Sequence, residues 1–263
     1  MKVDVYQLPV VLSDFERNKK KFLDKLAQRA DKEDTIAIFP EMWGCGFDYK
    51  NLSVFAEKTT EVLNEISEIA GENTLVITTH PETNQNKVFN TVYAVTNKGV
   101  IGKYRKNFLF APTGEDKYFD TGSDICVVDF KGVKVGLLLC YEIRFPELFR
   151  LTTSAGADII AIPAVWPEMK REHWQTLTRA RAVENQLFVA GCNCSVMHTT
   201  KKDMACGYSI AYDPWGGMLI NSEPGEGVYT CEIDISQVRE IREKIPSLND
   251  AQGAFEINRK IIT

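Results

Sequence analysis

Short apolar runs recur along this chain, each closed by turn residues and many followed by a stretch of helical spacing. That alternation limits the fold more than any other feature. "KVDVYQL" (2–8) alternates as a strand. Residues 13–30 follow, with Phe15, Phe22, Leu23, Leu26 and Ala30 on one helical face and Ser13 or Asp14 as N-cap. "TIAIFP" (35–40) is a short buried strand, a helix covers about 59–70, and "TLVITTH" (74–80) is a strand. Two hairpins come next, turning at Asn97-Lys98-Gly99 and near Lys131-Gly132. A helix starts near Pro146, and strands at 157–164 and 187–193 flank another helix at 172–186. A hairpin around residues 213–216, a strand at 226–235 and a helix at about 236–244 complete the series. Strands mixed with hairpins and crossover helices predict an α/β chain with mixed sheets and outer helices. No linker or repeat divides the 263 residues, so one domain is expected over 1–263, with residues about 245–263 as a C-terminal arm.

Basic and acidic residues, 31 against 36, are mixed along the chain and leave a net charge of −5. This argues against nucleic acid or an anionic membrane as a partner. No apolar run is long enough to span a membrane, and the first residues lack the pattern of a secretory signal, so a cytoplasmic chain is expected. Seven cysteines include no C-x-x-C pair. Cys192 and Cys194 share one strand face but would need two further ligands, so free core thiols and no metal are expected.

Chemistry centres on "KVGLLLCYEIRFPELFR" (134–150), where an apolar strand ends in Cys140 and Pro146 favours a first helical turn. A thiol at such a junction lies near the positive end of a helix, which predicts a lowered pKa; the alternative is a quiet buried cysteine. A nucleophilic cysteine needs a base, and the chain has only His80, His173 and His198. His173 lies in a helical stretch and reads as a histidine bonded within the packing. Glu41 ends the buried run "IAIFPEMWGCGF". A carboxyl there should be desolvated and raised in pKa, suited to move protons near neutrality, unless it is a loop acid or cap. Lys106, between aromatic residues in "IGKYRKNFLF", either snorkels or stabilises a thiolate and an oxyanion. Glu115 by itself reads as a surface-loop acid.

In order, "FPEMW", "YRKNFLF", "CYEIRFPELFR", "HWQTLTRARAVENQLFVAGCN", "GYSIAYDPWG" and "REKIP" resemble the motifs of the carbon–nitrogen hydrolase (nitrilase) superfamily over nearly the whole chain, most of all its ω-amidase branch. The resemblance implies an αββα four-layer sandwich that pairs as a homodimer. It also implies hydrolysis of a small linear amide, through a cysteine thioester, to a carboxylate and ammonia, with no cofactor. It assigns Cys140 as nucleophile and Glu41 as general base, with Lys106 and the Tyr141 N–H on the oxyanion and Glu115 holding Lys106. The implied substrates are 2-oxoglutaramate and 2-oxosuccinamate, whose carboxylate calls for a cation. Arg144 is one candidate, the alternative being a salt bridge that orients the turn. Trp166 is a pocket wall or core packing, and Arg179, Arg181 and Glu184 read as structural. Other amides stay open: deaminated glutathione, another small amide, or a carbamoyl-amine. A catalytically idle dimeric binding protein is the reading from another class, opposed by the presence of Glu41, Lys106 and Cys140 together. One departure is Phe108, which stands where relatives usually carry histidine and is expected to shape the loop.

Overall fold

The computed structural model describes residues 1–30 and 32–251. The chain opens with β1 (Lys2–Gln7), β2 (Val10–Val11), α1 (Phe15–Ala27) and β3 (Thr35–Ile38). Helices α2 (Leu52–Glu57) and α3 (Thr59–Ala70) lead into β4 (Thr74–Asn84), β5 (Lys87–Thr96) and β6 (Gly99–Arg105). The hairpin of β7 (Val127–Phe130) and β8 (Val133–Leu137) runs into a 3₁₀ turn at Cys140–Arg144 and then α4 (Pro146–Ser154). Next come β9 (Ile159–Ala164), α5 (Arg171–Asn185) and β10 (Phe188–Asn193). They are followed by β11 (Val196–His198), β12 (Met204–Ala205), β13 (Ile210–Tyr212), β14 (Met218–Asn221) and β15 (Gly227–Glu232). Helices α6 (Ser236–Lys244) and α7 (Ser247–Asp250) end the described chain.

The strands form two six-stranded sheets, ordered β15-β1-β3-β4-β5-β6 and β14-β13-β10-β9-β8-β7. In each, three parallel strands are flanked by antiparallel ones. Period-two alternation sorts their side chains into two cores. On β3, Ile36 and Ile38 face the second sheet, whereas Ala37 joins Phe22, Leu26, Val62 and Ile66 of α1 and α3. Strands buried on both faces read as unbroken apolar runs, which is why "TIAI" and "VGLLL" show no polar alternation. On the far face of the second sheet, a Cβ at Gly136 would lie 2.4 Å from Thr152 of α4, and one at Gly191 2.5 Å from Trp174 of α5. Only glycine lets those helices come so close. The layers are therefore helix, sheet, sheet, helix: the expected αββα sandwich.

Asp14 caps α1, its carboxylate accepting from Arg17 N–H at 3.3 Å. The expected hairpins and the bounds of α3 and α6 match closely. Helix α2 and a small third sheet, β12-β11-β2, were not foreseen. Of the expected arm, 245–251 include α7, and Gln186 Nε2 donates to the Ile245 carbonyl at 2.7 Å; 252–263 lie outside the described residues. Among the described residues, no helix is long and apolar enough to cross a membrane.

Candidate active site

Parallel strands put their carboxyl ends on one edge, and loops leaving that edge converge. Glu41 follows β3, Cys140 follows β8, and Val165 and Trp166 follow β9. Lys106 follows β6, which runs in the same direction as β3, two antiparallel steps beyond β4. The two sheets meet here directly, since Glu41 N–H donates to the Ala164 carbonyl at 3.3 Å.

Lys106, 1 % exposed, donates from Nζ to Glu41 Oε1 at 2.8 Å and to Glu115 Oε1 and Oε2 at 2.8 and 2.9 Å. Glu115 also accepts from Phe110 N–H at 2.6 Å. It is therefore a buried partner of the lysine and not the surface acid its own sequence suggested. Two carboxylates against one ammonium leave the buried cluster with an excess of negative charge. Burial accordingly pushes Glu41 above the ordinary glutamate value, with Lys106 only partly offsetting it, as expected for a desolvated proton carrier. Burial pulls Lys106 down, but Glu41, Glu115 and Cys140 outweigh it and keep the lysine charged.

Cys140 opens the 3₁₀ turn in the left-handed region, with φ of 40°, and Met42 beside Glu41 has φ of 50°. Left-handed backbone is rare outside glycine and persists only where packing imposes it. The thiol has two acceptors in reach, the Val165 carbonyl at 3.6 Å and the Glu41 carboxylate. Its pKa corrects the expectation drawn from the helix start. Burial, then the Glu41 charge, pushes the thiol well above the ordinary cysteine value, and Lys106 does not reverse this. A turn of five residues supplies too little dipole to outweigh desolvation beside a carboxylate. The arrangement can pass the thiol proton to Glu41 as the sulfur attacks; it does not store a thiolate.

These side chains line a cavity of about 230 Å³, with Tyr141, Arg144 and Trp166 on its walls. Trp166 is held by two bonds, from its N–H to Asn193 Oδ1 at 2.8 Å and from Nε1 to the Lys170 carbonyl at 2.9 Å. The Arg144 guanidinium lies 5.0 Å over the Trp166 ring and 3.3 Å from His173 Nδ1. It has no carboxylate partner among the described residues, so the salt-bridge alternative is not realised. His173 is exposed beside it, not packed inside. Phe108 stacks on Phe145 at 3.9 Å, consistent with a part in shaping the loop. Arg181 and Arg179 donate to the carbonyls of Ile143 and Gly216 and are structural. All seven cysteines are free, and no cluster of ligands among the described residues could hold a metal.

A Carbon-nitrogen hydrolase family model matches residues 2–243. The chain belongs to the carbon-nitrogen hydrolase family. Among its relatives in that family is the 2-oxoglutaramate amidase of Bacillus subtilis (strain 168), 35 % identical over 234 residues, 87 % of this chain and 88 % of the relative. Another is the omega-amidase YafV of Yersinia enterocolitica, 30 % identical over 252 residues, 95 % and 96 % of the two chains. The fold of a CN-hydrolase superfamily protein from Xanthomonas campestris matches with a TM-score of 0.86 at 22 % identity, covering 98 % of this chain and 99 % of that one.

Sequence reasoning missed several members of this carbon-nitrogen hydrolase site. Lys170 lines the cavity with its ammonium 5.0 Å from the centre of the Phe110 ring. Met197 and Met204 reach it from the small third sheet, and no periodicity marks strands of two and three residues. His80 lies under the Glu41 turn. Trp43 Nε1 donates to Thr78 Oγ1 at 2.7 Å, Thr78 Oγ1 lies 3.2 Å from His80 Nε2, and burial pushes the histidine down to about 3. It is a neutral prop for that turn. Asn90 and Glu142 also escaped notice, although each is a lone polar residue within an apolar run, which is a usable signal.

Proposed function

We propose that this carbon-nitrogen hydrolase is an ω-amidase. It hydrolyses the terminal amide of a short 2-oxo dicarboxylic monoamide, 2-oxoglutaramate or 2-oxosuccinamate, to the 2-oxo dicarboxylate and ammonia. The observation that carries the reading is one small cavity with a thiol, a proton-accepting carboxylate and an ammonium at one end, and on its wall a guanidinium without a carboxylate partner among the described residues. The names of its relatives supply the substrate class. The modest volume suits a short acid better than a tripeptide-sized amide such as deaminated glutathione.

Cys140 Sγ attacks the amide carbon while Glu41 takes the thiol proton. The oxyanion forms between Lys106 Nζ and the Tyr141 N–H, which meet the developing negative charge with fixed donors. Glu41 passes its proton to the amide nitrogen, the carbon–nitrogen bond breaks, and ammonia leaves a thioester on Cys140. Glu41 then takes a proton from water, whose oxygen attacks the thioester. The second adduct collapses, expelling sulfur, which recovers its proton from Glu41. Glu115 holds Lys106 in place throughout. Arg144 receives the substrate carboxylate against the Trp166 wall, with Lys170 as a second cation at the same anion.

The test is ammonia release from a panel of amides. We expect 2-oxoglutaramate and 2-oxosuccinamate to turn over faster than glutamine, asparagine, deaminated glutathione or a simple nitrile, and Cys140→Ala to release no ammonia while melting as a folded protein. An active Cys140→Ala variant would remove the thioester mechanism, and a panel without preference for 2-oxo acids would remove the substrate. The protein is further proposed to be a single domain with a C-terminal arm, cytoplasmic, and a homodimer. Sedimentation at twice the 29.7 kDa chain mass, and recovery in the cytoplasmic fraction, check the last two.

A further inference from the structure

Asn90 is a lone amide in the middle of β5, in "KVFNTVYAVT", and none of it is exposed. Its backbone carbonyl accepts Lys106 N–H at 2.9 Å, which fixes the point from which the lysine side chain sets out. Its side-chain NH₂ donates to Glu41 Oε1 at 2.9 Å and to Glu115 Oε1 at 3.1 Å. One residue therefore bonds both carboxylates of the cluster and the backbone of the lysine between them. The opposite amide orientation would turn a carbonyl oxygen onto two carboxylates, so the network determines which atom is nitrogen.

The residue type follows from the charges. Two carboxylates sharing one ammonium repel each other. A second cation would cancel the excess charge and pull down the proton affinity that burial raises in Glu41. A hydroxyl has one hydrogen and could serve only one carboxylate. A neutral amide gives each carboxylate one donor and adds no charge. Since Lys106 Nζ donates to the same Glu41 oxygen, Oε1 is taken by two donors and proton exchange with the Cys140 thiol falls to Oε2.

We propose that Asn90 is a positioning residue for amide hydrolysis, one that makes Glu41 a one-sided base and holds the two carboxylates around Lys106. The inference rests on the roles proposed above for Glu41 and Cys140. The experiment compares Asn90→Ala and Asn90→Ser with the native protein, using whichever amide the native protein cleaves best. Asn90→Ala should lower kcat roughly 10²-fold, the scale of a misplaced reacting group, with KM changed only a few-fold. Its acid limb of kcat/KM should move to higher pH, because the Glu41 carboxylate has lost a donor. Asn90→Ser keeps one donor and should recover part of kcat. The pH dependence of Cys140 alkylation by iodoacetamide should shift in parallel, a readout that needs no amide substrate. A folded Asn90→Ala variant with kcat within a few-fold and neither pH profile moved would overturn the proposal, as would a serine variant no better than alanine. If neither variant folds, the side-chain NH₂ resonances of Asn90 in ¹⁵N-asparagine-labelled native protein decide. They should titrate with the alkylation midpoint, and pH-independent resonances overturn the proposal. A native protein that cleaves no amide would remove the proposed function, while alkylation and resonances still judge Asn90.

Discussion

Glu142 shows how one buried side chain can join two reactive segments. Its Oε1 accepts from Tyr104 Oη at 2.8 Å and from the N–H groups of Asn107 and Phe108 at 2.7 and 3.2 Å, while Oε2 accepts from Leu139 N–H at 2.8 Å. It thus ties the residues after Lys106 to the residue before Cys140. Burial pushes its pKa from 4.5 up to about 7, although its bond from Tyr104 and the Lys106 charge pull it down. A carboxyl raised on folding binds a proton more tightly in the folded state. Its contribution to stability is therefore fully present below about 4.5 and is lost as pH rises through about 7. Glu142→Gln should remove that slope, up to about 3 kcal/mol of change across the window. Urea unfolding of both proteins between pH 4.5 and 8 reads it; identical slopes would mean that Glu142 ionises as an ordinary carboxyl.

Among the elements, α5 shapes the site without touching the thiol. Arg181, 6 % exposed, donates from Nε to the Ile143 carbonyl at 2.9 Å, pairs with Glu184 at 2.5 Å and lies over the Phe149 ring. The helix thereby clamps the turn that begins at Cys140. Arg181→Ala leaves the Ile143 carbonyl without its side-chain donor and removes the Glu184 ion pair, and we expect about 2–3 kcal/mol of lost stability. Thermal melting measures that loss, and kcat should fall more than KM rises; unchanged melting and kcat would show that α5 does not hold the turn. The bounds of α5 were legible because fifteen residues carry enough helical signal. Strand β4 was read as ending at His80, yet it runs to Asn84 because β5 pairs with it as far as Lys87. That extension depends on a partner strand, which no local window contains.

Across the whole molecule, Gln7 bolts the two sheets together at one edge. From β1 of the first sheet, its Nε2 donates to the carbonyls of Glu223 and Gly225 at 2.8 and 2.7 Å. Its Oε1 accepts from Ser209 N–H at 2.9 Å and Ser222 Oγ at 2.6 Å, beside the second sheet. All of its bonding capacity is used, and none of it is exposed. Gln7→Leu keeps much of the volume but leaves four polar groups without that partner, for a loss of roughly 3 kcal/mol or more. A urea midpoint unchanged from the native protein would show that Gln7 does not hold the sheets together.

What the amino-acid order determined by itself was whatever acts over a few residues. Apolar runs set the strands, helical spacing set α1, α3, α5 and α6, and turn residues set the hairpins. Glu41 and Cys140 drew notice because each closes an apolar run, whereas Lys106, in "KYRKN", was singled out by the resemblance of the motifs taken in order. Tertiary structure decided everything that depends on what lies across the gap between the sheets. It made Glu115 a buried partner of Lys106, set Arg144 beside Trp166 without a carboxylate, and raised the thiol that a helix start alone would lower. The reason is physical: hydrogen bonds along the chain are local, whereas desolvation and charge depend on every neighbour in space, and here those neighbours come from strands tens of residues apart.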